Sequence, residues 1–486
     1  MSSKRFPLKA LVAAAAVAAN LGVVGQAQAA VTIIINNINA AGIGFNDPTP
    51  AAPVGGNTGT TLGQQRLIAF THAANIWGAA LTSNIPVIIN AQFTALTCSA
   101  ASGVLGSAGA TQIFANWVTG TVPKPSTWYS YALANKMSQV YQGTLGAPQI
   151  NSNFNVNLGT PGCLETSRWY YGLDSNEPTN GIDFVAVLQH EMAHGLGFQT
   201  FTSGSTGAFN GGLPSIWDHF LFSVAAGGFW KDVTAADRVA SAISVSGLVW
   251  NGPIVTAAAP LVLLQGAANV AIGGVQAGAA AGNYAAGEAS FGPLASFASP
   301  VVGDLMPVVS NTTAASLTGP GCGPLTTLDA LAVNGNIALI DRGVCNLAVK
   351  VKNAQNAGAR GVIIADNVPG GVAGLGGSDP TVTIPALRIT LADATTIRAQ
   401  LFKRSRTKSG VVASISRIGT QLAGADGLGR VRMFAPNPFQ SGSSVSHFDS
   451  SATPNLLMEP AINGNLTQAV APPLDLTLPL FTEIGW

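Results

Sequence analysis

The spacing of apolar and polar positions changes several times along the chain, and each change marks an element. The β-branched run at 31–36 reads as a strand. Residues 46–63, rich in Pro, Gly and Thr, read as loop. Thr61 caps a helix in which Gln65, Leu67, Phe70, Ala73, Ile76 and Trp77 recur near the helical period. A second strand follows at 85–91, so strand, helix and strand predict a right-handed crossover into a mixed sheet. Residues 128–140 read as another helix. The alternation over 151–159 fits an edge strand, the wall of a peptide-binding groove. The apolar stretch 182–189 then suits a largely buried helix.

Beyond a Gly/Ser/Thr-rich loop, the aromatic cluster at 216–222 is expected to pack beneath that helix. The texture changes near Gly252. A second apolar run, 254–282, carries Gln265, Asn269 and Gln276 among many Ala and Gly residues, and reads as strands and turns instead of a membrane span. A strand ending in a turn at 336–345, a helix at 348–359 and a strand at 361–367 follow, with 382–386 and 392–401 completing the set. "ALIDRGVCNLAVKVKNAQNAGARGVIIADN" and "TVTIPALRIT" resemble the protease-associated (PA) domain over 257–419. The resemblance implies a non-catalytic, β-rich α/β domain inserted into a secreted hydrolase. No G-x-G-x-x-G accompanies the βαβ pattern, which sets a dinucleotide fold aside.

Composition adds the compartment. Lys4, Arg5 and Lys9, an uncharged run at 10–24 and Ala27-Gln28-Ala29 form a removable export signal at 1–29. Localisation is thus expected to be secreted or periplasmic, with no stable membrane span after signal removal. Cys98, Cys163, Cys322 and Cys345 lack C-x-x-C spacing, so two disulfides are expected. Three pairings are formally open, and sequence order favours Cys98–Cys163 and Cys322–Cys345. Only 9% of residues are charged and the formal net charge is +1. No basic stripe speaks for nucleic acid, and scattered charges give little support for an anionic membrane.

The chemistry concentrates in His190-Glu191-Met192-Ala193-His194, two of the chain's five histidines standing four apart on one helical face. Their imidazoles can occupy neighbouring corners of a tetrahedral zinc, with Glu191 as general base toward a zinc-activated water. Gly195 and Gly197 free the chain to stop the helix. A contiguous H-E-x-x-H-x-x-G-x-x-H motif would place a third histidine at position 200, where this chain has Thr200. His447 is the chosen third ligand because "SHFDSSATPNLLMEP" sets it shortly before a Leu-Met-x-Pro turn. Asp218, His219 and Glu459 stand as rivals, although His219 reads better as a core or supporting histidine.

His190, Glu191, His194, Gly197, His447 and Met458 together resemble leishmanolysin-like metzincins, in which a large insertion separates the zinc helix from the third histidine. The resemblance implies an α+β fold: a metzincin-like catalytic domain with a mixed sheet, residues 30–256 and 420–486, interrupted by the PA insertion at 257–419. It also implies a secreted zinc endopeptidase acting on protein or peptide substrates, with Met458 as an apolar floor under three imidazoles. The chain departs from the family in carrying a PA domain within the insertion. The rival functions are a non-catalytic zinc-binding adhesion protein and a zinc hydrolase of non-peptide amides or esters. Structural calcium has no D-x-D-x-D-G loop to support it. Nothing in the pattern selects an oxyanion donor, Tyr170 and Tyr171 being nearest in sequence, or fixes the oligomeric state.

Overall fold

The computed structural model describes residues 29–486 except 101, 121, 179, 311–317, 370, 371, 373 and 463–465; the export signal falls almost wholly outside them. In chain order the elements used below begin with β1 (Ile33–Asn37), α1 (Leu62–Ala80), β2 (Val87–Thr94) and β3 (Gly106–Ala110). α2 (Tyr131–Ser138), β4 (Ile150–Asn155) and α3 (Phe184–Leu196) follow, then β5 (Leu221–Ser223), β6 (Gly228–Phe229), β7 (Leu248–Trp250) and α4 (Pro253–Val262). The inserted part holds β8 (Gln265–Gly273), β9 (Gly282–Ala285), β10 (Gly287–Glu288), β11 (Val301–Pro307), β12 (Ile337–Asp341) and α5 (Leu347–Asn356). It continues with β13 (Gly361–Ala365), β14 (Ala386–Ile389), α6 (Leu391–Arg398) and β15 (Val412–Leu422). β16 (Val431–Arg432) and α7 (Thr477–Ile484) close the chain.

The first sheet has the order β1-β2-β4-β3. β1, β2 and β4 are parallel, and β3 runs antiparallel to β4 at the edge. β4 was expected at an edge and lies inside instead; its alternation reflects one core face and one solvent face. On that solvent face Asn36 donates to Asn90 and Asn90 to Asn151, an amide ladder across three strands. On the core face Val87, Ile89, Ala91 and Phe93 are buried, together with Phe70, Trp77 and Phe184 from the helices. Thr61 caps α1 by accepting from Gln64 N, an interaction typically worth about 1 kcal/mol.

One hydrophobic core joins residues on both sides of the insertion, from Val31 to Leu263 and from Ala425 to Ile484. Two further cores lie wholly within 268–415. The inserted sheet has the order β9-β8-β15-β11-β12-β13-β14-β10. α4, which spans the expected boundary at Ala257, packs in the first core through Val255, Ala258, Ala259 and Val262. Residues 254–262 form a helix where strands and turns were expected; Pro260 and the Ala-rich composition obscured it. Of the segment 382–386, Ala386 alone lies in a strand, Ala386–Ile389. The insertion returns through β15, which crosses the expected limit at Gly419 and ends at Leu422. Ala423 N donates to Leu264 O, so departing and returning chains meet at a two-stranded neck. Disulfides join Cys98 to Cys163 and Cys322 to Cys345, each within one unit. Among the described residues, no helix is long and apolar enough to cross a membrane.

Candidate metal centre

α3 presents the paired histidines because both its ends are fixed. Asp183 caps its start, its carboxylate accepting from Val185 N and Ala186 N. Gly197, at φ +133°, ends it, and Phe198 N returns to Ala193 O. Gly195 does not stop the helix. It remains helical, and a Cβ there would stand 2.3 Å from Ile150 Cγ2, so its bare backbone lets α3 lie against β4.

His447 arrives from beyond the insertion. The Nε2 atoms of His190 and His194 are 3.1 Å apart, and His447 Nε2 is 3.2 Å from each. Each Nδ1 faces a backbone carbonyl: Leu457 O for His190 and Phe198 O for His194 at 2.8 Å, and Ser443 O for His447 at 2.7 Å. A carbonyl can only accept, so each Nδ1 carries the proton and each Nε2 presents a lone pair. Three lone pairs converging in a buried site repel one another unless a cation lies between them. Ligand nitrogens about 2.0–2.1 Å from a tetrahedral zinc stand about 3.3 Å apart, close to the spacing found. The donor set fits zinc. Among the described residues, these three form the one cluster of His, Cys, Asp or Glu placed to hold a metal.

Burial keeps the imidazoles neutral, as a metal requires. It lowers His190 to about 4 and, with repulsion from His190, His194 to about 3. His447 is held well below its ordinary value by burial and by the other two histidines. Glu191 is pushed up to about 8 by burial, opposed by a hydrogen bond from the backbone of Ala108. Leu105 and Asn155, and Thr111 and Gln149, are joined across the β3–β4 ladder. Alternation therefore turns the backbone of Gly106, Ala108 and Ala110 away from β4, toward the open edge.

The rival ligands are engaged elsewhere. Asp218 accepts from Thr200 and Thr202 hydroxyls and from Ser215 N and Oγ. Thr200, at the position of the contiguous motif's third histidine, thus helps brace a loop. His219 Nε2 meets Thr127 Oγ1 at 3.0 Å, and Glu459 accepts from Leu456 N at 2.8 Å. The expected aromatic support is present: Trp217 packs on Phe198 and donates to Val445 O. Tyr171 pairs with Arg66 and Tyr170 with Asp174.

Met458 is fully buried, and its turn holds two ligand segments. Leu457 O receives His190, while Met458 O receives the N–H of Phe448, next to His447. Buried Asp475 in turn accepts from Leu457 N and Thr477 N, both at 2.7 Å. Asp475 escaped sequence reasoning, although an Asp just before a helix was a readable start signal. Gly106 escaped it too. A Cβ there would lie 2.7 Å from Glu191 Oε1, and the small-residue run Gly-Ser-Ala-Gly-Ala was its only mark.

Comparison with known proteins identifies the insertion. Residues 297–397 match the PA domain family. A probable lipoprotein aminopeptidase LpqL of Mycobacterium tuberculosis is 39% identical over 82 residues, 17% of this chain and 16% of that protein. The chain thus aligns with only about a sixth of that relative's length. Among solved structures, an aminopeptidase from Aneurinibacillus sp. strain AM-1 is similar at 28% identity and TM-score 0.23, covering 32% of each chain. The zinc aminopeptidase BSAP of Bacillus subtilis is similar at 19% identity and TM-score 0.22, covering 34% of this chain and 35% of its own. The chain is a mixed α+β protein carrying a PA domain.

Proposed function

We propose that the protein is an exported zinc peptidase, and specifically an endopeptidase of metzincin-like build. The convergence of three Nε2 lone pairs beside a buried Glu191 carries this reading. His190, His194 and His447 would hold the ion. Zinc held there would supply Lewis-acid polarisation of the scissile carbonyl and a lowered pKa, from about 15.7 toward 7, for the attacking water. Glu191, ionised beside the cation, would take a proton from the attacking water and return it to the leaving amine. The Ala108 N–H keeps the Glu191 carboxylate directed along β3. The outward backbone of Gly106 and Ala110, with the Ala108 carbonyl, offers an extended substrate main-chain partners along this edge. The wall of exposed edge and the buried base favour peptide over simple ester substrates. Both disulfides accord with export.

A second reading, an aminopeptidase, rests on the names of the relatives. One digestion separates the two. Purified protein is assayed for bound zinc and then given peptides with free or N-acetylated starts, with and without a chelator. Internal cleavage of the blocked peptides, lost to chelation and restored by zinc, is expected. Release of single residues from free N-termini alone would establish the aminopeptidase. Absence of bound zinc would overturn both.

A further inference from the structure

The near-zero net charge conceals one strongly cationic place. Lys403, Arg404, Arg406 and Lys408 stand within six residues, and the rest of the chain has 18 basic against 21 acidic groups, since 22 − 4 = 18. No acid occurs in sequence between Asp393 and Asp426. All four cations are exposed, and among the described residues no carboxylate pairs with them. The loop has a defined shape. Ser405 N donates to Lys408 O, Lys408 N returns to Ser405 Oγ, and Asn336 anchors Thr407 O. Phe402, in the single-turn helix Leu401–Lys403, is 67% exposed, with the Lys403 ammonium 5.5 Å from its ring centroid. Beside it opens a cavity of about 200 Å³ lined by Pro307, Thr318, Arg398, Leu401, Phe402 and Arg404. Arg398 is paired with Asp341, whereas Arg404 donates only to Leu401 O.

We propose that this loop of the inserted unit docks on an anionic phospholipid surface, with Phe402 at the headgroup boundary and the cavity receiving a lipid phosphate. An aromatic flanked by lysines and arginines is the pattern of interfacial attachment. The guanidinium fork of Arg404 matches a phosphate better than a point charge would. The attachment is peripheral and adds no membrane span.

The test uses the full exported chain and sedimentation with vesicles of phosphatidylcholine alone or mixed with phosphatidylglycerol. Binding is expected only to the anionic vesicles and is lost at high salt, because surface charge acts within a Debye length. A Lys403→Glu/Arg406→Glu/Lys408→Glu variant removes three cations worth about fivefold each, so its partitioning falls about 100-fold or more. Phe402→Ala weakens binding while keeping the salt dependence. Millimolar glycerol phosphate competes if the cavity takes the phosphate, and Arg404→Ala removes that competition. Circular dichroism checks that these surface variants are folded. Equal partitioning to neutral and anionic vesicles, or an unaffected triple variant, overturns the proposal. Displacement from vesicles by polyglutamate at lower concentration than by anionic lipid also overturns it, and makes an acidic polypeptide the partner. None of these outcomes depends on peptidase activity.

Discussion

Asp475 and Glu191 illustrate how much of the centre depends on single buried carboxyls. Asp475 acts on His190 through Leu457, which it holds by the N–H while the same residue's carbonyl fixes His190. Asp475→Ala should weaken zinc binding about 10–100-fold in chelator competition, as loss of a group orienting a ligand typically does. Asp475→Asn, keeping one acceptor, should lose less. Unchanged zinc affinity alongside a lower melting temperature would leave Asp475 a purely structural role. Glu191→Gln should retain zinc and lose activity by about 10²–10⁴-fold, the scale of general acid–base catalysis. The same substitution has a signature in metal-free protein. His190 and His194 titrate near 4 and 3 when folded, against about 6.5 in the unfolded chain, so their contribution to stability declines as pH falls below 6.5. Glu191, raised to about 8 from 4.5, has the opposite sign: its contribution is full below 4.5 and lost as pH rises to 8. The melting temperature of metal-free Glu191→Gln relative to the parent should therefore climb from pH 5 to 8. A constant difference between the two would contradict a Glu191 buried in its neutral form. His190, Glu191 and His194 were legible because their spacing is local. His447 was legible through the Met458 turn beside it in sequence, whereas Asp475 acts through a tertiary contact that no spacing records.

At the scale of elements, β3 and α3 form the working pair. Small residues on β3 let the strand approach until Ala108 N–H meets Glu191. Gly106→Val should consequently keep zinc but displace the base, since even a Cβ at this position meets Glu191 Oε1, Cγ and Cδ at 2.7–3.0 Å. Metal analysis and turnover measured together decide it, and normal turnover would remove β3 from the mechanism. The helices around the centre were readable from their apolar period and caps: Thr61 opens α1 and Asp183 opens α3. Sheet order was not. Alternation records that β4 has one wet face but is silent on whether another strand covers its edge, and β3 covers it. α4 was misread for a local reason. Pro260 argues against a helix, while the burial of Val255, Ala258, Ala259 and Val262 in the first core outweighs that preference.

The chain builds one core interrupted by a second unit, and the interruption lies between α3 and His447. A long insertion is tolerated because closure entropy grows only slowly with loop length, and here both ends are already joined by the Ala423–Leu264 hydrogen bond. The PA pattern was legible as a run of local strands and helices, and residues 297–397 match that family. Its limits were less so, since α4 and the end of β15 are assigned by packing against the first core and by the two-stranded neck. This organisation separates metal binding from whatever the inserted unit recognises. His190, His194 and His447 lie on the segments that flank the insertion, and among the described residues none between Leu263 and Ala425 is a buried member of the core those segments form. Replacing residues 265–422 with a short Gly/Ser turn should leave a folded protein that binds one zinc and cleaves small blocked peptides at a rate close to that of the full chain. Its attachment to anionic vesicles should disappear, because the cationic loop leaves with the insertion. Zinc stoichiometry, peptide turnover and vesicle sedimentation on the same preparation separate the possibilities. A folded variant unable to bind zinc would show that the PA unit is needed to bring His447 onto α3, and retained vesicle binding would place the membrane contact on the catalytic half.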